Sequence, residues 1–315
     1  MTPIKHLIFS GGGPNVFVMF GALSYLKQNG YINIDAVTSV DGTSSGALLG
    51  LTYILNCDDT VIEDYFIGRP WEKVFEISPD IMFQSFQNRG LFDVGVIEQI
   101  MEPIMKSVGI GIDITMSQLY IKTNIEFTVY VSELNNFKLL SLSHINAPDE
   151  RVIDVIYKSC AIPPLFKPVI DGDNCYLDGG IFANYPLNCF LNRIKGRSSD
   201  PKLDLDLNTI FGIKLIFEDT HQYVISETSS IAEYCFCVIK KLIMQRALTG
   251  EPNDVTIPNE LLVYSNISDF DTIKQSIVSA DERIHLMNEG KRYASVFYHY
   301  KMKQLDDDSQ EPLNV

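Results

Sequence analysis

The chain has 315 residues, 46% hydrophobic and 21% charged, a balance that describes a globular protein with a sizeable core and fits one large α/β domain. Its formal net charge of −15 argues against nucleic acid as a partner, because binding there needs Lys and Arg to displace counterions, and against docking on anionic membranes by charge alone. No stretch reaches the roughly 18 apolar residues of a spanning helix, and the apolar run Leu7-Ile8-Phe9 is too short for the core of a secretory signal, about 7–15 residues. A cytoplasmic protein, at most peripheral at membranes, is expected, with its six cysteines as free thiols.

The opening predicts a strand from His6 to Ser10, a turn at Gly11-Gly12-Gly13, and a buried helix from Val16 to Gln28 ended by Asn29-Gly30. A second strand, Ala36 to Val40, runs into Asp41-Gly42, and helical pattern resumes at Ser45. Both glycine motifs thus fall where a strand hands over to a helix, at the carboxyl edge of a parallel sheet where ligands bind. Residues 60–120 read as mostly helical. Within them RPWEKVFEISPDIMFQSF, with Trp71, Phe75, Ile81, Met82, Phe83 and Phe86, reads either as a subdomain packed on the core or as an apolar face beside a lipid site. Strands are predicted at Ile125 to Leu134 and Phe137 to Leu142, joined as a hairpin by Asn135-Asn136. A helix from Arg151 to Cys160 must stop before Pro163-Pro164. Then come a short strand Cys175 to Leu177, a polar loop Lys195 to Asp206, a buried strand Thr209 to Phe217, a helix Ser230 to Leu248, a strand Leu261 to Tyr264 and a last helix Ala280 to Gln304. One domain over 1–305 is expected, with 306–315 an acidic, disordered tail.

Gly42-Thr43-Ser44-Ser45-Gly46 is the pattern of a nucleophile on a tight strand-to-helix turn, where Gly42 and Gly46 let the backbone approach. The ordinary alternative is a helix N-cap serine. A base is needed, and none of His6, His144, His221, His285 and His299 lies near in sequence. An α/β-hydrolase order of serine, acid and histidine would leave His285 or His299 to return through space, and Ser44 comes early for that fold. A carboxylate suffices if it has reach and a suitable pKa. Asp178 in YLDGGIFANYP is the candidate, at a strand end before Gly179-Gly180; alone, the motif also fits a surface turn. Amides of Gly11, Gly12, Gly13 and Ser45 could hold an oxyanion. The glycine loop lacks the Gly-Lys-Ser/Thr ending of a phosphate-binding loop, and Val16 stands where a dinucleotide fingerprint has glycine.

SGGG at 10–13, GALSYLKQNG at 21–30, DGTSSGALLG at 41–50, SCAIPPLFKPV at 159–169 and CYLDGGIFANYPL at 175–187 together resemble the patatin-like phospholipase family. The resemblance implies a three-layer α/β/α sandwich around a mainly parallel sheet, with Ser44 as nucleophile and Asp178 as its base. It implies hydrolysis of acyl lipids through an acyl-enzyme, with no metal or cofactor, and supporting roles for Asn184 and Pro186. One departure stands out. The family usually carries Arg or Lys two positions after the third glycine and a glycine next; here those positions are Asn15 and Val16. Asn15 can donate a hydrogen bond but brings no charge, so a weaker oxyanion site or altered substrate preference is expected. A lipid-binding protein without turnover is the rival that this loop motivates.

Overall fold

The computed structural model describes residues 2–197, 205–217, 225–249, 255–265 and 270–310. Strand β1 (His6–Phe9) leads through the glycine loop into α1 (Val16–Gln28), and β2 (Ser39–Thr43) leads directly into α2 (Ser45–Ile54). Five helices follow: α3 (Asp59–Gly68), α4 (Trp71–Val74), α5 (Pro79–Asn88), α6 (Val94–Ser107) and α7 (Met116–Thr123). Next come the hairpin β3 (Glu126–Glu133) and β4 (Lys138–Leu142), then α8 (Val152–Cys160) and a second hairpin, β5 (Val169–Asp171) and β6 (Asn174–Asp178). The chain continues through α9 (Gly180–Ala183), α10 (Leu187–Arg197), β7 (Ile210–Phe217), α11 (Ile231–Thr249), β8 (Asn259–Ser265), α12 (Phe270–Val278) and α13 (Ala280–Gln310).

One sheet holds all eight strands in the order β5-β6-β3-β2-β1-β7-β8, with β4 also paired to β3. The pairs from β3 through β2, β1 and β7 to β8 are parallel, whereas β4, β5 and β6 add antiparallel ladders at one end. The sheet is therefore mixed, with a parallel centre. Side-chain alternation splits it into two faces. Leu7, Phe9, Val40, Phe211 and Ile213 enter the large core that α1, α2, α8 and α13 cover. Ile8 and Ile210 enter a smaller cluster with Leu187, Phe190 and Leu191 of α10. Helices thus lie on both faces, as expected for a three-layer α/β/α sandwich. On the large face α1 and α13 cross closely: a Cβ on Gly21 would fall 2.1 Å from the Met287 carbonyl oxygen, and one on Gly290 1.9 Å from that of Val18.

Several boundaries differ from the sequence reading. Asn33 caps a single helical turn by accepting the Asp35 N–H, so residues 34–36 are not strand and β2 begins at Ser39. The three-residue strand β5 went unread because it is half exposed and turns at once through Gly172 (φ +55°). Residues 195–197, expected in a polar loop, close α10; residues 198–204 lie outside the described residues. Helix α13 runs to Gln310, so 306–310 are helical where a tail was expected, and no Gly or Pro interrupts the chain between Gly290 and Pro312. Residues 311–315 lie outside the described residues. All six cysteines are free thiols, with Cys57, Cys160 and Cys237 buried. Among the described residues no helix is long and apolar enough to cross a membrane.

Candidate active site

Sheet register brings the two candidate residues together. Thr43 of β2 pairs with Tyr130 of β3, so Ser44, the next residue, stands level with Val131. Val131 is itself paired with Asp178 of β6 on that same side, since β4 holds the opposite side of β3 from Val129 to Glu133. β6 therefore continues along β3 where β2 leaves off, and serine and aspartate meet where the two strand ends abut, with a Cβ position at Gly179 only 3.1 Å from Thr43 Cγ2. The Ser44 hydroxyl donates to Asp178 Oδ2 at 2.7 Å.

Ser44 occupies the N-cap position of α2, but its side chain caps nothing; the hydroxyl is turned to the carboxylate instead. Its backbone lies at φ 53°, ψ −125°, a region that costs a non-glycine residue roughly 1–3 kcal/mol and persists only where surroundings enforce it. Three bonds enforce it here. The Ser44 N–H donates to Ser159 Oγ at 2.8 Å, and its carbonyl accepts from the amides of Ala47 (2.9 Å) and Leu48 (3.3 Å). Thr43 Oγ1 donates to the Ala183 carbonyl at 2.8 Å, tying the end of β2 to α9. Gly46 permits the whole turn to sit against β1, since a Cβ there would lie 2.5 Å from the carbonyl oxygens of both Phe9 and Ser10. Gly42 has the same role one turn away, facing the Gly46 carbonyl.

Asp178 is buried, and its two oxygens have separate partners: Oδ1 accepts the Gly180 N–H at 2.7 Å and Oδ2 accepts the Ser44 hydroxyl. Burial pushes this carboxyl up to about 6, opposed by the hydrogen bonds from Ser44 and Gly180. A carboxylate poised there can take a proton near neutral pH, which an ordinary aspartate does poorly. Gly179 follows with a Cβ position 2.1 Å from the Tyr130 carbonyl oxygen, so only glycine lets the chain turn down over β3 at this point.

The glycine loop is clasped by Asn184, whose carbonyl accepts the Gly11 N–H (2.9 Å) and whose Nδ2 donates to the Gly11 carbonyl (3.1 Å). Two of the four expected oxyanion donors are therefore engaged in this structure. The Gly11 amide is held by Asn184, and the Gly12 amide donates to Ser45 Oγ at 2.9 Å. The amides of Gly13, which is exposed at φ +54°, and of Ser45, at the start of α2, are the donors left to face a substrate oxygen. Asn15 does not reach into the site. It is buried, and its Nδ2 braces the loop by donating to the Gly12 carbonyl at 2.8 Å.

Two neighbours of Ser44 and Asp178 carried no role in the sequence reading. Ser159 is fully buried on α8; besides holding the Ser44 amide, its hydroxyl donates to the Tyr130 carbonyl at 2.6 Å. Its place at the head of SCAIPPLFKPV was the available signal, but a helix-end serine has many uses. Cys160 follows, its thiol pushed up by burial and by the nearby Asp178 charge. Removing the Ser159 hydroxyl leaves a buried N–H without a partner at a strained residue, at a cost of about 1–3 kcal/mol. Ser159→Ala is expected to lower kcat roughly 10- to 100-fold on a short-chain ester, with KM retained. Steady-state kinetics on the folded variant checks this, and an unchanged kcat would remove Ser159 from the site.

Among the described residues no histidine is hydrogen-bonded to Ser44 or Asp178. His6 Nδ1 pairs with Ser39 Oγ at 2.9 Å, His144 stacks on Tyr120, and His299 bonds the Ser295 carbonyl. His221 lies outside the described residues.

A mixed sheet with a parallel centre, a serine on a strand-to-helix elbow and an aspartate at the end of a neighbouring antiparallel strand define a patatin-type α/β protein. Residues 7–191 match the family model described as patatin-like phospholipase, and the chain belongs to that family. It is 26% identical over 186 residues to "Probable lipid hydrolase 463L" of Invertebrate iridescent virus 6, covering 58% of this chain and 62% of that protein. It is 25% identical over 197 residues to an uncharacterized protein of Acanthamoeba polyphaga mimivirus, covering 60% of this chain and 62% of the relative. The chain thus spans about six tenths of the length of these curated relatives. Among solved structures it is similar to VipD from Legionella pneumophila, at TM-score 0.46 and 14% identity over 91% of this chain and 67% of that one.

Proposed function

We propose that the protein is a lipid acyl hydrolase of phospholipase A type, acting on acyl esters of phospholipids or related lipids through a Ser44–Asp178 dyad. The observation that carries this reading is the 2.7 Å hydrogen bond from a serine on a strained elbow to a buried carboxylate whose other oxygen is already occupied. Family membership supplies the substrate class.

Asp178 Oδ2 takes the Ser44 proton as Oγ attacks the acyl carbonyl carbon. Negative charge moves to the carbonyl oxygen, where the Gly13 and Ser45 amides and the N-terminus of α2 stabilise it. The tetrahedral species collapses to a seryl ester while protonated Asp178 hands its proton to the departing alcohol. Asp178 then removes a proton from water as its oxygen attacks the seryl ester, and the same proton passes to Ser44 Oγ as the fatty acid leaves, restoring both residues. The fixed Gly180 bond to Oδ1 keeps Oδ2 aimed at Ser44 throughout. Asn15 lends no positive charge to the oxyanion.

A serine-directed fluorophosphonate tests the assignment. The parent protein is expected to be labelled at one site, Ser44→Ala is expected to lose the label, and a His285→Ala/His299→Ala double variant is expected to retain label and rate. An unlabelled parent would favour a lipid-binding protein without turnover. Loss of rate in the histidine variant would favour a histidine base.

A further inference from the structure

Helix α5 is turned inside out. An ordinary surface helix buries its apolar stripe and exposes its polar one. In α5 the half-buried positions are Ile81, Ser85 and Asn88, after the N-cap Ser78, and no residue of the helix is fully buried. The outward stripe is Met82, Phe83 and Phe86, exposed by 58%, 77% and 79%, continued by Ile77 at 46% just before the helix. The spacing i, i+1, i+4 puts these three side chains on one face. The expectation from sequence therefore splits: Trp71 and Phe75 pack on the core, while the second half of the stretch faces out.

Backbone bonds tie the chain that follows this stripe to the loop beside Asp178. The chain leaving α5 is bonded through the Leu91 and Phe92 amides to the Leu165 carbonyl. That loop follows directly from Ala161, whose carbonyl accepts the Asp178 N–H at 3.1 Å. The four exposed side chains present on the order of 500 Å² of apolar surface, taking large side chains at roughly 150–250 Å² each when whole. A stable second copy or protein partner covers about 800 Å² of mixed polar and apolar surface per side, which would need a polar rim well beyond this one short helix. It suits shallow insertion of an amphipathic helix into the headgroup boundary, which goes about 5–10 Å deep. Charge decides the kind of surface. The exposed polar residues of the helix are Asp80, Gln84 and Gln87, with Arg89 alone at its end, on a chain of net charge −15. An anionic bilayer is repelled and a zwitterionic one is not.

We propose that the outward face of α5 docks the protein on a zwitterionic phospholipid surface and brings the mouth of the Ser44–Asp178 site to it; this rests on the lipid-hydrolase reading above. The test uses the full chain. Binding is measured by co-sedimentation with phosphatidylcholine vesicles in a Ser44→Ala background, so that the vesicles are not consumed. Phe83→Ser/Phe86→Ser is expected to weaken partition at least tenfold and to slow fatty-acid release from vesicles similarly when Ser44 is intact. Turnover of a monomeric short-chain ester should stay within twofold, which also reports an intact fold. Phe86→Trp should keep partition, and its emission should shift to the blue on adding vesicles, against the buried background of Trp71, the chain's single tryptophan. Unchanged partition of the double serine variant overturns the proposal. So does a concentration-dependent dimer that this variant abolishes while vesicle binding persists, which would assign the stripe to a second copy. A parent that binds vesicles but releases no fatty acid leaves the docking face standing and refutes the proposed reaction instead.

Discussion

Asp178→Asn is expected to abolish ester hydrolysis and yet to leave a protein more stable than the parent at neutral pH. The carboxyl is pushed up to about 6 in the folded chain, from an ordinary value of 3.8, chiefly by burial. Between those values the folded state keeps a proton that the unfolded chain has released, so stability falls as pH rises through that window. Above about 6 the full cost of the buried charge is present, on the order of 3 kcal/mol. Asparagine has the same shape and no charge. Its oxygen can still accept the Gly180 N–H and its amide can still face Ser44, so most of the bonding survives while the cost is removed. We expect a gain of about 1–3 kcal/mol in urea unfolding at pH 7, shrinking toward zero near pH 4. Activity should move the other way. The loss of rate should reach at least about 10⁴-fold, as when one member of a nucleophile–base unit is removed. In the parent, kcat/KM should rise with pH through a midpoint near 6 as the base ionises. A variant that keeps a substantial rate, or one that unfolds more easily than the parent at pH 7, would show that this carboxylate is structural.

The elbow was legible because its chemistry is local. Gly42, Ser44 and Gly46 fall within five consecutive positions of chain, and the turn they form is enforced by what glycine alone can do against Phe9 and Ser10. The partner was legible only through a motif, since nothing local to Asp178 says that β6 runs antiparallel beside β3 and ends level with Ser44. That pairing depends on the hairpin with β5, a three-residue strand too short and too exposed to carry a pattern. The oxyanion loop was half legible. Its glycines marked where donors lie, but which amides remain available depends on Asn184 and Ser45 Oγ, contacts across 173 and 33 positions of chain. Asn15 was read as a donor into the site, and its short side chain bonds its own loop instead. In the 71–86 stretch the sequence held both readings, and only the packing of Trp71 beside Phe66 and Tyr65 separated the buried half from the exposed one.

Arg193→Ala is expected to be the most destabilising of these changes, although the residue lies on the far side of the sheet from α2. Asp41 stands on β2 three positions before Ser44, wholly buried on the α10 face, and its Oδ1 accepts from Arg193 Nη2 at 2.5 Å and from the Tyr130 hydroxyl at 2.8 Å. Arg193 also pairs with Glu126, which Arg197 bonds from outside. Burial alone would lower the guanidinium, but Asp41 and Glu126 outweigh it and hold Arg193 above its ordinary value, charged at every accessible pH. His6 of β1 is held down to about 4 in the parent, chiefly by burial, and burial still disfavours its charged form when Arg193 is gone. Removing the guanidinium strands a buried carboxylate, at a cost of about 3–5 kcal/mol. The sign of the pH effect follows. Burial already holds the Asp41 carboxyl above its ordinary value against the pull of Arg193; without Arg193 it rises further, so the loss is largest at neutral pH and shrinks as acid protonates it. Asp41→Asn added to Arg193→Ala should restore at least about 1 kcal/mol, because the second change removes the uncompensated charge that the first created. Equal destabilisation in the single and double variants by urea unfolding would mean that Arg193 acts through packing on Phe190 and not through charge. The consequence for the site is geometric: Tyr130 joins this network by its hydroxyl and accepts the Ser159 hydroxyl by its carbonyl, and Ser159 in turn holds the Ser44 amide. The strained elbow is thus fixed from below by a buried ion pair that never meets substrate.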